Sequence, residues 1–391
     1  MRITDIDVML FSYPLPPDQQ LDINSWLRTK TDAVIVRVET DEGIYGLAEP
    51  VPYGVPGPTE GQEYLKAVID NELKPRLLGK NPFDADLLTR PTGGPVIRTA
   101  HDRGLAGINE ALWDIMGKAT GMPVYRLLEE EGDISPRVPL YASEGIHWLW
   151  KGRPDDLIDE AVRHKEAGFP AFKFRLGENW DEAGVTAAMC SSLIERVRLA
   201  VGPDFALMVD ANCRMRSLEE ALEVGRAIDR IGGLWYEEPM KPEPRAYAAL
   251  AAALDVPIAG GEGYATAEEV QPFLESGGFE VVQTDPGIAG LSTAKRIAGL
   301  ARRAGAYFVP HCWANAVALM AAAHLTAAMP NRMYLEYPTA HNPLLTDLLT
   351  EPLPVKDGYL VLSEKPGLGV ELAPDAAERF PFIAGTHRRR L

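Results

Sequence analysis

The stretch AFKFRLG, residues 171–177, decides the fold. Ala171, Phe172, Phe174 and Leu176 give it the apolar content of a buried strand. Lys173 and Arg175 are two apart, so both project from one face of that strand. Like charges on one buried face repel each other and lose hydration. Such a strand is tolerated only where something anionic faces it. The reading therefore turns on where the rest of the chain keeps its acids.

Seven more apolar runs share the texture of 171–176: VPLYAS (138–143), FALMVDAN (205–212), GLWYEEP (233–239), VPIAGGEG (256–263), FEVVQTDP (279–286), AYFVPHCW (306–313) and RMYLEYP (332–338). Their starts recur about every 23–35 residues, with amphipathic helical sequence in most gaps. That alternation predicts a parallel sheet closed into a barrel. Ser217 with Glu220, and Thr266 with Glu269, have capping-box spacing at two of the helix starts. An open doubly wound sheet is the alternative, but no G-x-G-x-x-G follows the first strand.

Before this region the texture differs. AVIVRVET (33–40), DEG (41–43) and IYGLAE (44–49) read as a hairpin. PVPYGVPGPTE (50–60) reads as a loop. In residues 99–123, Leu105, Ile108, Leu112 and Ile115 recur at helix spacing. The expected organisation is α/β: an α+β capping domain over 1–130, a (β/α)7β modified TIM barrel over 131–352, and a C-terminal segment, 353–391, returning to the cap. Residues 358–362 are expected to pack on the N-terminal sheet, and the basic tail HRRRL to be a solvated end.

The formal net charge of −17 argues against nucleic acid or an anionic membrane as partner. It leaves room for a small anion where cations gather, as at 173 and 175. No apolar run reaches membrane-spanning length; residues 316–329, rich in Ala, read as a core helix. The N-terminus reads as a strand rather than a signal peptide, so the expected location is cytoplasmic. Cys190, Cys213 and Cys312 have no Cys-x-x-Cys spacing and read as small buried thiols.

The C-terminal tips of the eight runs answer the opening question. Run two carries Lys173 and Arg175; the later tips carry Asp210, the pair Glu237/Glu238, Glu262, Asp285, His311 and Glu336. In a (β/α)8-type barrel these tips meet at one rim, where active sites are built. One such acid alone reads as a helix N-cap. Asp210, one of Glu237/Glu238, and Glu262 lie on consecutive strands, and three converging carboxylates demand a cation. Hard oxygen donors, few in number, suit Mg²⁺. Asp285 and His311 lie on neighbouring tips, and a carboxylate beside an imidazole prepares it for acid/base work. His324 and His341 lack such partners and read as structural. Glu336 has two readings, a protonated donor to an oxyanion or an ion pair with Lys173.

In order and spacing, K-x-R, VDAN, EEP, GEG, TDP, HCW and LEYP resemble the enolase superfamily, within it the mandelate racemase subgroup. The resemblance covers nearly the whole chain. It implies Asp210, Glu237 and Glu262 as Mg²⁺ ligands with Glu238 behind them, the His311–Asp285 dyad as general base, and Glu336 as the residue that stabilises an enediolate. Two-base racemases of the subgroup carry Lys-x-Lys on this strand; here the second position is Arg175, a poor proton acceptor but a good fork for oxygens. One-base chemistry led by His311, with Lys173 assisting, is the expectation.

The expected activity is a Mg²⁺-dependent acid-sugar dehydratase. The alternatives are an isomerase of the same family (racemase, epimerase or sugar-lactone cycloisomerase) and, from another class, a non-catalytic sugar-acid-binding barrel. Substrate contacts are expected from Trp26, Arg28 and Tyr53 in the cap loops and from Asn212 and Tyr264 beside the ligands. Relatives are commonly symmetric, so a homo-oligomer is expected.

Overall fold

Alternation of period two organises the cap. In the strand Lys30–Thr40, Val34, Val36 and Val38 join the core of the cap helices, whereas Ala33 and Ile35 join the core shared with the barrel. The predicted hairpin forms, Lys30–Thr40 pairing with Tyr45–Ala48 on one side and with Ile3–Pro14 on the other. The cap sheet is thus a shared wall. The long helix Thr99–Thr120 lies against it, and Gly46 makes this contact close: a Cβ there would sit 1.9 Å from the Ala111 carbonyl oxygen. The computed structural model describes residues 1–23, 26–52, 61–91, 99–129, 132–146, 148–177, 180–385 and 388–390.

All eight predicted barrel strands form, as Arg137–Glu144, Ala171–Arg175, Ala206–Asp210, Tyr236–Glu237, Ile258–Gly260, Val281–Val282, Tyr307–Phe308 and Leu335–Pro338. They pair in parallel in sequence order. Strand eight closes onto strand one, Leu335 opposite Leu140, and onto strand seven through the bridge Phe308–Arg332. Each of the seven gaps holds a helix, from Asp156–Glu166 to the wholly buried Ala316–Ala328; strand eight is followed by the single turn Pro343–Thr346 in the place of an eighth barrel helix. The architecture is the (β/α)7β modified TIM barrel with an α+β cap.

The inward face starts apolar. Tyr141, Ala171, Met208, Trp235, Ala259, Val281 and Val309 pack together in one cluster inside the barrel. Residues of the other parity, such as Phe172, Phe174, Leu207 and Val209, belong to the core shared with the helices. Two residues further along the inward face come Ser143, Lys173, Asp210, Glu237, Gln283 and His311. The pleat alone therefore puts polar side chains at one end of the cylinder.

Three expectations need correcting. The basic tail is not a free end: Arg388–Arg390 pairs antiparallel with Trp26–Arg28 of the cap, which offers it a strand edge. Residues 358–362 do not pack on the N-terminal sheet: Tyr359–Val361 pairs antiparallel with Arg137–Pro139 of the first barrel strand. The reason is a free edge, because pairing of strand one with strands eight and two begins only at Leu140 and Tyr141. Later residues do meet the cap, through Leu368 N donating to Asp114 Oδ1 at 2.7 Å and Ile383 N to Ser12 Oγ at 3.0 Å. The capping box is complete at Thr266/Glu269, but at Ser217 only half is made, since the Glu220 carboxylate takes the Arg216 N–H instead. Among the described residues no helix is long and apolar enough to cross a membrane.

Candidate active site

Strand register brings the predicted residues together. Arg175 lies opposite Asp210, and Asp210 opposite Glu237. Lys173, fully buried, contacts Glu237 and reaches Glu336 at 3.2 Å and Asp210 at 4.0 Å. Arg175 places Nε 3.6 Å from Asp210 Oδ2, donates Nη1–H to the Glu144 carbonyl at 3.0 Å, and stacks 4.3 Å from the Trp313 ring centre. The two cations of AFKFRLG therefore face acids.

Glu237 is held from three sides. Besides Lys173, it accepts from Gln283 Nε2 at 2.6 Å and Trp235 Nε1 at 2.9 Å. Asp210 accepts from the backbone and side chain of Asn212 at 2.7 and 3.1 Å. Asn212 is left-handed, φ 44°, a backbone position unusual outside glycine. Its side-chain amide is directed at that carboxylate. Glu238, also left-handed at φ 39°, accepts from the Cys213 thiol at 3.4 Å. Glu262 is the exposed member, with about a third of its side chain, 32%, open to solvent.

His311 donates Nδ1–H to Asp285 Oδ2 at 2.7 Å, and Asp285 Oδ1 accepts the Gly287 N–H at 2.8 Å. That leaves Nε2 facing the acids, 3.7 Å from Glu262 and 3.9 Å from Glu336. Burial alone would lower the imidazole pKa, but Glu262, Glu336 and Asp285 together push it up to about 10. Burial likewise opposes the charge on Lys173, and Glu237, Glu336 and Asp210 outweigh it, raising the ammonium pKa. Glu336 goes the other way. Burial would raise it, yet Lys173, His311 and Arg175 hold its carboxyl well below the usual range. Ser143 Oγ and Cys312 N also donate to it, at 2.6 and 2.8 Å. The geometry pairs Glu336 with Lys173, the partner that the ion-pair reading names.

Burial raises Asp210 and Glu237 despite Lys173, and raises Glu238 well above the ordinary range. Five carboxylates (Asp210, Glu237, Glu238, Glu262 and Glu336) meet two side chains of fixed positive charge. This donor set, all hard oxygen with negative charge in excess, fits a hard divalent cation. Asp210, Glu237 and Glu262 are not drawn into a tight trio. Among the described residues, the trio whose ligand atoms lie within 4.8 Å of one another is Glu144, Glu160 and His164. Its members are already bonded. His164 Nε2 is 3.1 Å from Glu144, Thr339 Oγ1 donates to Glu144 at 2.6 Å, and Gly145 N donates to Glu160 at 2.6 Å. In the mouth, Glu237 is taken by Lys173, and Glu262 has room to move.

The remaining candidates are less central. Arg28 bonds the Lys30 carbonyl at 3.3 Å and lines a small cavity with Trp313, Asn315 and His341. Tyr264 packs on Phe273 with ring centres 5.8 Å apart, and burial, then Glu238, pushes its phenol up to about 12. Trp26 pairs through its backbone with Ile23 and Arg390, and its side chain lies outside the described residues, as does all of Tyr53. His324 is structural as expected: Nδ1 accepts the Tyr125 N–H at 3.1 Å, and burial lowers its pKa to about 4. Ser143 and Gln283 were missed; counting two residues on from Tyr141 and Val281 would have found them. A cleft of about 820 Å³ lies to one side, between residues 17–20 of the cap and the helix Asp156–Glu166, and holds none of the mouth acids.

Residues 156–376 match the family described as enolase C-terminal domain-like, and residues 6–129 the mandelate racemase / muconate lactonizing enzyme N-terminal domain. An arabinonate dehydratase of Saccharolobus solfataricus is 29% identical over 355 residues, covering 89% of this chain and 90% of its own. A D-galactarolactone cycloisomerase of Agrobacterium fabrum is 30% identical over 395 residues, covering 97% and 99%. Among solved structures, a mandelate racemase-like protein of Bordetella bronchiseptica, complexed with 2-oxoglutarate/phosphate, matches with a TM-score of 0.86 at 28% identity over 99% of each chain. Enzymes of the superfamily these matches share typically use Mg²⁺. From its two matched domains, its barrel and its rim of acids, this chain belongs to the enolase superfamily, in the mandelate racemase subgroup.

Proposed function

We propose that the protein is an acid-sugar dehydratase that removes the proton α to a carboxylate and expels the β-hydroxyl as water. The observation that carries this reading is the residue facing His311 from strand two. His311 points Nε2 into the mouth, while the outer strand-two position holds Arg175, a guanidinium and so a poor proton acceptor, and Lys173 is bonded to Glu237 and Glu336. A single acid/base residue suffices for elimination; inversion of a stereocentre wants a second base on the opposite face.

A Mg²⁺ held by Asp210, Glu237 and Glu262 would supply positive charge to the substrate carboxylate and take up the Glu262 charge that otherwise favours the His311 imidazolium. Asp285 holds Nδ1 of His311 and so orients Nε2. Neutral Nε2 takes the α-proton, and the C–H electron pair spreads into the carboxylate. Lys173 adds positive charge from the strand-two side. Those electrons return to form the carbon–carbon double bond as the β carbon–oxygen bond breaks. The imidazolium returns its proton to the departing hydroxide, giving water. The enol becomes a 2-keto-3-deoxy acid. The relative named as an arabinonate dehydratase supports this chemistry.

The cycloisomerase relative supports a second reading, in which the β-oxygen expelled belongs to a lactone ring. A panel of mono- and diacid sugars and their lactones, incubated with protein and Mg²⁺, separates the two. Dehydration gives a keto acid lighter by one water. A product of unchanged mass puts isomerisation in its place, and no turnover on any member overturns both.

A further inference from the structure

The His311–Asp285 pair is gripped from behind by the cap. Glu49 directly follows the cap strand Tyr45–Ala48 and is 2% exposed. Its Oε1 accepts from Asn315 N at 3.3 Å and from the Asn315 side chain, and its Oε2 accepts from Ala318 N at 3.1 Å. Asn315 and Ala318 begin the 13-residue helix Ala316–Ala328, whose own N-cap residue, Asn315, makes no capping hydrogen bond. Two backbone N–H groups at the start of that helix are therefore satisfied by a carboxylate from the cap. Asn315 is four residues from His311, and the segment between them joins the imidazole to the helix along the chain.

The same stretch holds the other half of the pair. Val51 N donates to the Gly287 carbonyl at 2.9 Å, and Gly287 N donates to Asp285 Oδ1 at 2.8 Å. The approach needs a glycine: a Cβ at 287 would lie 2.7 Å from Val51 Cγ2 and 3.3 Å from the Glu49 carbonyl oxygen. The loop after strand eight links the start of that helix to the cap. Asn342 Nδ2 donates to Asn315 Oδ1 at 2.7 Å, and Thr31 Oγ1 donates to Asn342 Oδ1 at 3.1 Å.

We propose that Glu49 is a positioning residue through which the cap sets the His311–Asp285 pair. It touches no reacting atom; it fixes the start of the helix Ala316–Ala328 and with it the segment that aims His311. The proposal rests on His311 as the base, and its test has an arm independent of that reading. Hydrogen exchange is followed by mass spectrometry in the full chain, comparing wild type with Glu49→Ala, Glu49→Asp and Glu49→Gln. The Ala variant is expected to exchange about tenfold faster across 311–319, with the helix Ala187–Val201 unchanged. Asp, a carboxylate one methylene short, gives the same pattern at smaller size. Gln, whose amide oxygen still accepts, restores most of the protection. Exchange across 311–319 within about twofold of wild type in the folded Ala or Asp variant overturns the proposal.

The second arm uses whichever sugar acid the panel shows to turn over. The Ala variant should lose roughly 10–100-fold in kcat with KM little changed, the pattern of a misaimed base, and Gln should recover most of it. A raised KM with kcat intact overturns the proposal. A panel without turnover defeats the proposed function, while the exchange arm still decides the role of Glu49.

Discussion

The molecule buries two clusters of acid with imidazole, and they differ in kind. Under the helix Asp156–Glu166, on the outer side of the barrel wall, Glu144, Glu160 and His164 satisfy one another, with Thr339 and a backbone N–H completing the set. In the mouth, Asp210, Glu237, Glu238, Glu262 and Glu336 outnumber Lys173 and Arg175, and burial lifts Asp210, Glu237 and Glu238 toward their neutral forms. The first cluster has the tighter ligand spacing, and the second gathers more carboxylates than its two cations can pair. Proximity of donors therefore marks a brace as readily as a site; unbalanced charge aimed at an open end marks the site.

The comparison breaks most easily at the imidazoles. His311→Asn should lower keto-acid formation by about 1,000-fold or more with an unchanged circular dichroism spectrum. His164→Asn should leave the rate per folded molecule within about twofold. Equal losses would mean that the two clusters are not different in kind. Next in size is Lys173→Met. Removing the cation that Glu237 and Glu336 share should cost about 3–5 kcal/mol in urea unfolding without Mg²⁺.

Metal requirement sharpens the contrast further. EDTA should abolish turnover and Mg²⁺ restore it. Glu262→Gln should weaken the Mg²⁺ needed for half-activity at least about tenfold, and Glu160→Gln should not move it. The smallest effect is in stability against pH, where Glu160 and Glu336, one from each cluster, should slope in opposite directions. Burial and Glu144 raise Glu160, so its contribution is full below the ordinary carboxylate pKa and is lost as pH rises above it. Glu336 is lowered, so its contribution is present above that value and is lost as pH falls below it. Urea midpoints between pH 3 and pH 8 check both slopes, which Glu160→Gln and Glu336→Gln should each flatten on one side.

Much of the mouth was legible because a barrel strand has a fixed parity. Once Lys173 is inward, Arg175 is too, and Asp210, Glu237 and His311 are each two residues past an apolar inward residue. What stayed hidden has physical causes. The charge state of Glu336 depends on Lys173 standing 3.2 Å away, a distance no spacing encodes. Asn212 has the composition of a substrate contact, and its left-handed backbone turns it onto Asp210. Glu49 meets its partners across 266 residues, and a lone acid after a strand carries no sign of that. Ser143 and Gln283 are uncharged, so a search for ionisable tips passes over them.

Strand one is completed by parts of the chain made long after it. Its neighbour Leu335–Pro338 and its cover Tyr359–Val361 are synthesised roughly 200 residues after it, which at ~5–20 residues per second is a wait of ~10–40 s on the ribosome. For that interval Arg137–Glu144 is an unzipped seam able to pair with another nascent chain. Tyr359–Val361 is the latch on that seam, and shortening the protein before Tyr359 should show first as aggregation during expression rather than as lost catalysis.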